Sequence, residues 1–358
     1  MPDPIVIVGA SLAGLRAAQA IRKAGHDGPV VVVGAEPHLP YTRPPLSKEL
    51  LHSEAEPALA CDDLDVEWRL GTTATGLDLA RRELELGDER LRYDRLLIAT
   101  GTRARPWPGA ASRDDAHGRV FTLRDLDDAL ALKAALSRAT SLAVIGAGFI
   151  GCEVAASARK LGLEVTLVDI APQPMTALGP ELGTRCAELH RAHGVRLKLG
   201  APAQVDADVT VAALGAIPNT EWLRNSGLTL QPGVVCDEYL QAEAHVWCAG
   251  DVTAWPHPLA DGELIRIEHW TNAAEQGAAA ARNLLGDRTP YAAVPYFWTD
   301  QYDVKIQAAG LPHRAERFEY AEPDVALGMR GDRVVAAVTF NAPRKLMQQR
   351  RQLAMVAA

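Results

Sequence analysis

Short apolar runs alternate with helix-like stretches in the first part of the chain. The run Ile5–Val8 is followed by "SLAGLRAAQAIRKAG", in which apolar residues recur every three or four positions, and then by "VVVV" over 30–33. A continuous apolar run predicts a strand buried on both faces, and helical spacing between two such runs predicts a crossover helix. We therefore expect the chain to begin with a βαβ unit.

The same order of elements returns in the middle of the chain. "SLAVIGAGFIG" predicts a strand and a tight turn, "CEVAASARKLG" a helix, and "EVTLVD" a strand that ends at Asp169. Three further apolar runs close on turns of small residues: "YDRLLIATG" over 93–101, "ADVTVAALGAIPN" over 207–219 and "VWCAGDV" over 246–252. They predict additional strands, placed late after the βαβ units.

Each predicted βαβ unit carries a glycine-rich turn between its first strand and its helix. The first turn contains Gly9, Ser11 and Gly14, and Glu36 follows the second strand. Backbone amides and the positive helix N-terminus of such a turn can hold a pyrophosphate, while the acid can bind a ribose. Ser11 stands where the middle glycine is expected. Taken alone, this motif is therefore also compatible with a tight turn that binds no ligand.

The second turn has all three glycines, Gly146, Gly148 and Gly151. Asp169 at the end of the next strand would accept a free ribose hydroxyl and repel a 2′-phosphate, and the following "IAPQP" has no Arg or Lys. This favours NADH over NADPH. Two such units in one chain imply two dinucleotides.

Composition limits the class of protein. A chain of 358 residues suits two or three domains, and 48% hydrophobic with 23% charged residues is typical of a soluble globular protein. No apolar run approaches the length of a membrane span, and a net charge of −8 argues against general nucleic-acid binding. The start "MPDPIVIVG" has no basic region or cleavage site, so we expect a cytoplasmic location and no membrane partner.

The cysteines are scattered, without CxxC or CxxxxC spacing. This spacing does not indicate a disulfide scaffold, a redox dithiol or a zinc site, and we expect buried thiols and no metal. A disulfide reductase needs a dithiol beside its flavin, whereas "YTRPPLSKELL", after Glu36, has no cysteine. The five positions are Cys61, Cys152, Cys186, Cys236 and Cys248.

Four longer motifs carry a resemblance to a known family: "PYTRPPLSKE" over 40–49, "CAGDVTAWPHP" over 248–258, "IEHWTNAAEQGAAAARNLLG" over 267–286 and "VPYFWTDQYDVKIQAAG" over 294–310. The chain resembles the flavin-dependent pyridine-nucleotide oxidoreductases, and within them the ferredoxin reductases that serve cytochrome P450 and Rieske-type oxygenases. The resemblance covers nearly the whole chain. It implies an α/β fold with two Rossmann-like dinucleotide-binding domains, as in glutathione reductase, and a small α+β C-terminal domain.

The resemblance also implies domain limits. We expect an FAD-binding domain over 1–110 and 237–290, an NAD(H)-binding domain over 111–236 and a C-terminal domain over 291–358. The NAD(H)-binding domain is expected to be shortened near 200–208, because "GVRLKLGAPAQVDADVTVAALG" replaces a longer run of strands in the family. In the last domain "RVVAAVTF" predicts a strand and "NAPRKLMQQRRQLA" a short helix.

By the same resemblance the first glycine-rich turn binds FAD and the second binds NAD(H). Trp298 matches the family's aromatic residue beside the flavin, although an ordinary core tryptophan stays open on the residues alone. Gly215, in a turn of small residues, is also expected to bind a cofactor. The positions that match family contacts to FAD are Ala13, Glu36, Arg43, Lys48, Ala74, Arg124, Asp251 and Trp270.

The resemblance pairs Lys48 with Glu153, and we expect both to be catalytic. An amine held by a carboxylate beside the flavin N5 would position the nicotinamide and favour the negatively charged reduced flavin. Taken alone, the residues leave an alternative, in which Glu153 serves the helix dipole and Lys48 is solvated.

These assignments imply hydride transfer from NADH to FAD and then single-electron transfers to a ferredoxin that serves an oxygenase. Arg344, Lys345, Arg350 and Arg351 are a candidate docking face for that acidic partner, with an ordinary solvated face as the alternative. Two functions stay open: an NADH-responsive signalling flavoprotein resembling apoptosis-inducing factor, and a reductase of another small acceptor. A membrane quinone reductase is disfavoured, because it would need an amphipathic C-terminal anchor and "PRKLMQQRRQLAMVAA" is too short and too polar for that role.

Overall fold

The computed structural model describes residues 3–54, 56–61, 63–108, 120–202 and 206–357. Its helices are α1 (Leu12–Lys23), α2 (Glu49–His52), α3 (Leu126–Leu136), α4 (Phe149–Lys160), α5 (Pro180–Ala192), α6 (Trp270–Leu285) and α7 (Pro343–Ala357). Its strands are β1 (Ile5–Val8), β2 (Val30–Val33), β3 (Glu67–Arg69), β4 (Gly76–Asp78), β5 (Glu83–Leu86), β6 (Glu89–Arg92), β7 (Arg95–Ile98), β8 (Thr102–Ala104), β9 (Val120–Phe121), β10 (Ser141–Ile145), β11 (Glu164–Asp169), β12 (Arg196–Leu199), β13 (Val209–Ala212), β14 (Ala216–Pro218), β15 (Val234–Val235), β16 (Gln241–Glu243), β17 (Val246–Cys248), β18 (Thr253–Pro256), β19 (Leu264–Arg266), β20 (Tyr296–Gln301), β21 (Val304–Gly310), β22 (Arg317–Glu322), β23 (Val325–Arg330) and β24 (Arg333–Phe340).

The first large sheet has the strand order β16-β17-β7-β1-β2-β3. Strand β1 pairs in parallel with β2 on one side and with β7 on the other, and β17 pairs in parallel with β7. The residues of β1 and β2 are all buried, because α1 covers one face and other elements cover the second. The carboxyl ends of β1, β7 and β17 therefore meet at one edge, which places three turns side by side.

The second large sheet, in the order β12-β11-β10-β13-β9, is parallel throughout. Both sheets contain a βαβ unit, so the predicted α/β fold with two Rossmann-like units is confirmed. Residues 203–205 of the segment predicted to be shortened lie outside the described residues. The described residues between β12 and β13 contain no strand. The predicted domain limits stay predictions.

The end of the chain forms an antiparallel sheet in the order β20-β21-β24-β23-β22, against which α7 packs. Strand β24 and helix α7 occupy the segments where the sequence predicts a strand and a helix. Smaller sheets complete the fold, and one of them joins β8 to β14 in antiparallel fashion. The C-terminal sheet also contacts α4 through β20, which brings it to the second nucleotide-binding unit.

The two glycine-rich turns have nearly the same geometry. Gly9 and Gly146 have φ angles of +126° and +103°, which a residue with a Cβ rarely adopts. A Cβ on Gly14 would lie 1.9 Å from the carbonyl oxygen of Gly9, and a Cβ on Gly151 would lie 1.9 Å from that of Gly146. Both helices can therefore begin directly against their strands only with glycine at these positions.

Gly277→Ala tests the close approach of α6 to α1. The added Cβ would lie 2.3 Å from the carbonyl oxygen of Ala13, so the two helices must separate. We expect the free energy of unfolding to fall by about 1–3 kcal/mol, measured by urea denaturation. A gain of about 1 kcal/mol, as Gly→Ala gives at an open helical position, would contradict this contact.

Candidate active site

Lys48 and Glu153 form a buried ion pair between two remote segments. Lys48 follows a 3₁₀ turn over Pro44–Ser47, and Glu153 lies in the second turn of α4. The Lys48 Nζ to Glu153 Oε1 distance is 3.0 Å, and the two side chains are 10% and 3% exposed. The predicted ion pair is present, and this burial excludes the alternative of a solvated lysine.

The Glu153 carboxylate receives hydrogen bonds from several donors. Ser47 Oγ donates to Glu153 Oε2, and the Thr299 hydroxyl donates to the same carboxylate. Lys48 Nζ, besides pairing with Glu153, donates to Pro44 O at 3.0 Å. The pKa of Glu153 is raised, because burial raises it by more than the positive charge of Lys48 and the hydrogen bonds from Ser47 and Thr299 lower it. The cation and the hydroxyl donors therefore offset part of the free-energy cost of burying this charge.

Ser11, Arg43 and Glu36 meet beside the first glycine-rich turn. Ser11 precedes α1, and its Oγ accepts from Arg43 Nε at 3.2 Å. Arg43 also pairs with Glu36, to which the Tyr41 hydroxyl donates, and Arg43 Nη1 donates to Arg124 O at 2.8 Å. The serine that departs from the glycine motif thus helps to orient an arginine at the helix N-terminus.

Asp251 lies at the same sheet edge, directly after the turn that ends β17. Arg124 Nη2 donates to its carboxylate at 2.8 Å, and Thr102 Oγ1 lies 3.3 Å from the same oxygen. The neighbouring Gly250 amide donates to Gln276 Oε1 at 2.7 Å, while the buried Gln276 Nε2 has no partner among the described residues. A helix N-terminus, two acids and two arginines on one edge fit FAD, with its pyrophosphate, ribose and polyol.

The second turn presents an equivalent edge. Asp169 accepts hydrogen bonds from the Ala147 amide at 2.6 Å and from the Ala171 amide at 2.8 Å, so its carboxylate lies over the turn. A Cβ on Gly148 would meet no atom within 4 Å, which leaves open space above the turn for a pyrophosphate. Gly215 is similarly open, with a φ angle of +82°. These features fit NAD(H).

Ile170, next to Asp169, is a residue that the sequence analysis missed. Its side chain is 82% exposed, which is unusual for a large apolar residue at the end of a buried strand. The adenine of a nucleotide whose ribose is held by Asp169 would cover this side chain. The signal in the sequence is an apolar residue immediately after the acid of a βαβ unit.

A cavity of about 190 Å³ opens beside the first turn of α4. Phe297 packs there on Phe149 and on His269, with ring centroids 4.6 Å apart in both pairs. Burial lowers the pKa of His269 to about 4, and its Nδ1 has no hydrogen-bond partner among the described residues. Besides these three residues, the cavity is lined by Ala177, Arg266, Ile267, Glu268, Gly310, Pro312 and His313.

Three further residues predicted to bind FAD lie in β20, at the start of α6 and in the segment between β3 and β4. Trp298 stacks on Tyr296 with ring centroids 6.0 Å apart, and it lies on the face of β20 opposite Thr299. Trp270 is the first residue of α6, and Ala74 packs against the core of the first sheet. Their contacts to FAD stay predictions.

Comparison with known proteins identifies the family. Residues 3–277 match the model of the pyridine nucleotide-disulphide oxidoreductases, and residues 296–358 match the reductase C-terminal model. The chain belongs to the pyridine nucleotide-disulphide oxidoreductase family. The predicted family, the cofactors FAD and NAD(H), and the enzyme class of NADH-dependent flavin oxidoreductase are confirmed.

The chain is similar over nearly its full length to individual reductases. It is 37% identical to the ferredoxin–NAD(+) reductase component of an anthranilate 1,2-dioxygenase system from Burkholderia cepacia, covering 98% of this chain and 94% of that protein. It is 36% identical to rhodocoxin reductase from Rhodococcus erythropolis, covering 98% and 89%. The solved complex of putidaredoxin reductase with putidaredoxin has a TM-score of 0.92, 31% identity, and coverage of 99% and 96%.

Within the described residues, no helix has both the length and the apolar character needed to cross a bilayer. The same residues contain no group of three or more His, Cys, Asp or Glu side chains placed to hold a metal ion.

Lys48→Met removes the cation and keeps a side chain of similar length. Glu153 then stays buried without a charged partner, so we expect the free energy of unfolding to fall by about 3–5 kcal/mol at about pH 8. The loss should be smaller at about pH 5. Removing Lys48 raises the pKa of Glu153 further, and the folded state, which then holds the extra proton, gains stability as the pH falls. Urea unfolding at both pH values measures this difference.

The matched control is the double variant Lys48→Met/Glu153→Gln, which buries no charge at this position. It should regain most of the stability lost at about pH 8. An equal loss at both pH values, or no recovery in the double variant, would contradict the charge balance described for this pair.

Proposed function

We propose that this chain passes electrons from NADH through FAD to a ferredoxin that serves a cytochrome P450 or a Rieske-type oxygenase. The observation that carries the proposal is the buried Lys48–Glu153 pair, which lies between two nucleotide-binding units. The chain is also similar to ferredoxin reductases over nearly its full length. The segment that contains Lys48 has no cysteine, so this site has no dithiol to reduce a disulfide.

FAD, when bound, accepts a hydride from NADH and delivers electrons singly to an iron–sulfur partner. The protein holds this chemistry in place with fixed charges. When FAD is bound, the N-terminus of α1 and Arg43 would hold its pyrophosphate, while Glu36 and Asp251 would bind its hydroxyl groups. Lys48, held by Glu153 in a buried position, presents a positive charge that needs little reorganisation when negative charge develops nearby.

A cytoplasmic location is part of the same proposal. The thiols of Cys152, Cys186, Cys236 and Cys248 are buried and form no disulfide, as is usual for proteins in a reducing compartment.

The predicted docking face on α7 has less unpaired positive charge than its sequence indicates. Lys345 pairs with Glu322 and Asp324, and Arg350 pairs with Glu275. Arg344 and Arg351 are exposed and have no acidic partner among the described residues. We propose that any steering of an acidic ferredoxin by α7 depends on these two arginines.

Asp169→Ala tests the choice of nucleotide. Loss of a charged acceptor to a ribose hydroxyl should raise the KM for NADH by roughly 10-fold to 100-fold and reduce the preference for NADH over NADPH, with little change in kcat. Steady-state kinetics with both nucleotides measures the effect. Asp208→Ala is the matched control, because Asp208 also accepts from two backbone amides but at the opposite edge of the sheet. A similar rise in both variants would contradict the assignment of Asp169.

NADH-driven reduction of cytochrome c, assayed with and without added ferredoxins, tests the function itself. We expect fast reduction that requires a ferredoxin and slows as salt rises, because an acidic partner is steered by positive charge. Arg344→Glu/Arg351→Glu should lower this rate at low salt and leave NADH-driven reduction of ferricyanide unchanged. Slow turnover with every acceptor, together with a long-lived flavin–nicotinamide charge-transfer band, would instead support the signalling function.

A further inference from the structure

A line of buried polar side chains runs from the Lys48–Glu153 pair to helix α5. Thr299 and Gln301 on β20 and His190 on α5 are each 0% exposed. The Thr299 hydroxyl contacts the Glu153 carboxylate, Gln301 Nε2 lies 3.4 Å from Thr299 Oγ1, and His190 Nε2 lies 3.0 Å from Gln301 Oε1. The line ends at Tyr302, whose hydroxyl lies 2.9 Å from His190 Nδ1.

The direction of every hydrogen bond in this line follows from the chemistry of the groups. Gln301 Oε1 can only accept, so His190 Nε2 must carry the proton. Burial lowers the pKa of His190 to about 4, so the ring is neutral at pH 7 and its Nδ1 accepts from the Tyr302 hydroxyl. Gln301 Nε2 donates to Thr299 Oγ1, which leaves the single Thr299 proton for Glu153. Each group therefore donates toward the carboxylate.

We propose that Thr299 and Gln301 are positioning residues for hydride transfer, because they make the Glu153 carboxylate the terminal acceptor of a one-directional hydrogen-bond chain that starts at Tyr302. The inference rests on the proposed function. It assigns a role in the reaction to β20 and α5, which connect to the ion pair through this line of hydrogen bonds. A chain of aligned dipoles that ends on a charge is stronger than its separate bonds, and each member favours the ionised carboxyl.

The groups around the chain are compatible with this assignment. Lys48 and Ser47 face Glu153 from the segment before α2, Thr299 faces it from β20, and the neutral thiol of Cys152 lies beside it on α4. His190 also faces His193, which stacks on the Tyr302 ring with centroids 3.6 Å apart, and the positive charge of Arg159 acts on Tyr302. Gln301 Nε2 has a second contact, to Met175 Sδ at 3.8 Å, which fixes the amide.

Not every buried threonine of this sheet has such a partner, and this provides a control. Thr339 on β24 is 0% exposed, and its Oγ1 has no hydrogen-bond partner among the described residues. Thr299→Val and Thr339→Val make the same change of side chain in the same sheet. Only the first removes a donor to Glu153.

The test follows the rate constant of flavin reduction by NADH against pH in a stopped-flow instrument. Thr299→Val should move the acidic limb of this profile upward by about one pH unit, because Glu153 loses a hydrogen bond to its charged form. The rate at the top of the profile should change little. Thr299→Ser should restore the wild-type position, and Thr339→Val should leave it unchanged.

The second measurement needs no turnover. In the folded protein without NADH, the infrared carbonyl band of a protonated carboxylic acid, assigned by its loss in Glu153→Gln, should persist to higher pH in Thr299→Val than in the wild type. Gln301→Met and Tyr302→Phe should also raise the pH at which this band disappears. The rise should be smaller for Gln301→Met than for Thr299→Val and smallest for Tyr302→Phe, because these variants break the hydrogen-bond chain farther from the carboxylate.

The outcomes separate this inference from the proposed function. If NADH reduces the wild-type flavin but Thr299→Val shifts neither the profile nor the infrared band, the chain has no positioning role. The same conclusion follows if Thr339→Val shifts them equally. If NADH does not reduce the wild-type flavin, the proposed function fails, while the infrared series still decides whether the chain holds Glu153 ionised.

Discussion

The burial of one carboxylate, Glu153, is the constraint on which the rest of this site depends. A charge at that depth is stable only where cations and hydroxyl donors replace water. Here the cation is Lys48 and the hydroxyls belong to Ser47 and Thr299. These donors come from the segment before α2 and from β20, while the acceptor lies on α4. The charge balance of one side chain therefore ties three remote parts of the chain together.

The second constraint is the close approach of a helix to a strand, and it occurs twice. Gly14 and Gly151 each lie too near the carbonyl oxygen of the first glycine of their turn for any larger residue. Parallel strands then bring the acids that follow them, Asp251 and Asp169, to the edge that contains these turns. The same backbone geometry serves two nucleotides because the surrounding side chains differ, with Arg43 at the first turn and no arginine or lysine directly after Asp169 at the second.

Charges in this site are held in place by partners. Lys48 and Glu153 hold each other, and burial keeps His190 and His269 neutral at pH 7. This arrangement suits a reaction in which two rings exchange a hydride and the protein supplies orientation and a fixed field. Ser11, which replaces the middle glycine of the first turn, is compatible with this arrangement, since it accepts a hydrogen bond from Arg43, which also faces the turn.

The sequence by itself determined the local elements and the turns. Strands β1, β2, β11 and β24 begin and end where the apolar runs predict, because period and composition act between near neighbours in the chain. The partners of Glu153 were decided differently: resemblance identified Lys48, and only the packing of β20 against α4 made Thr299 a donor. Likewise Lys345 and Arg350 look like free positive charges until folding brings Asp324 and Glu275 beside them. A hydrogen bond or ion pair needs atoms within about 3–4 Å of each other, and for residues far apart in the chain only the tertiary structure sets that distance.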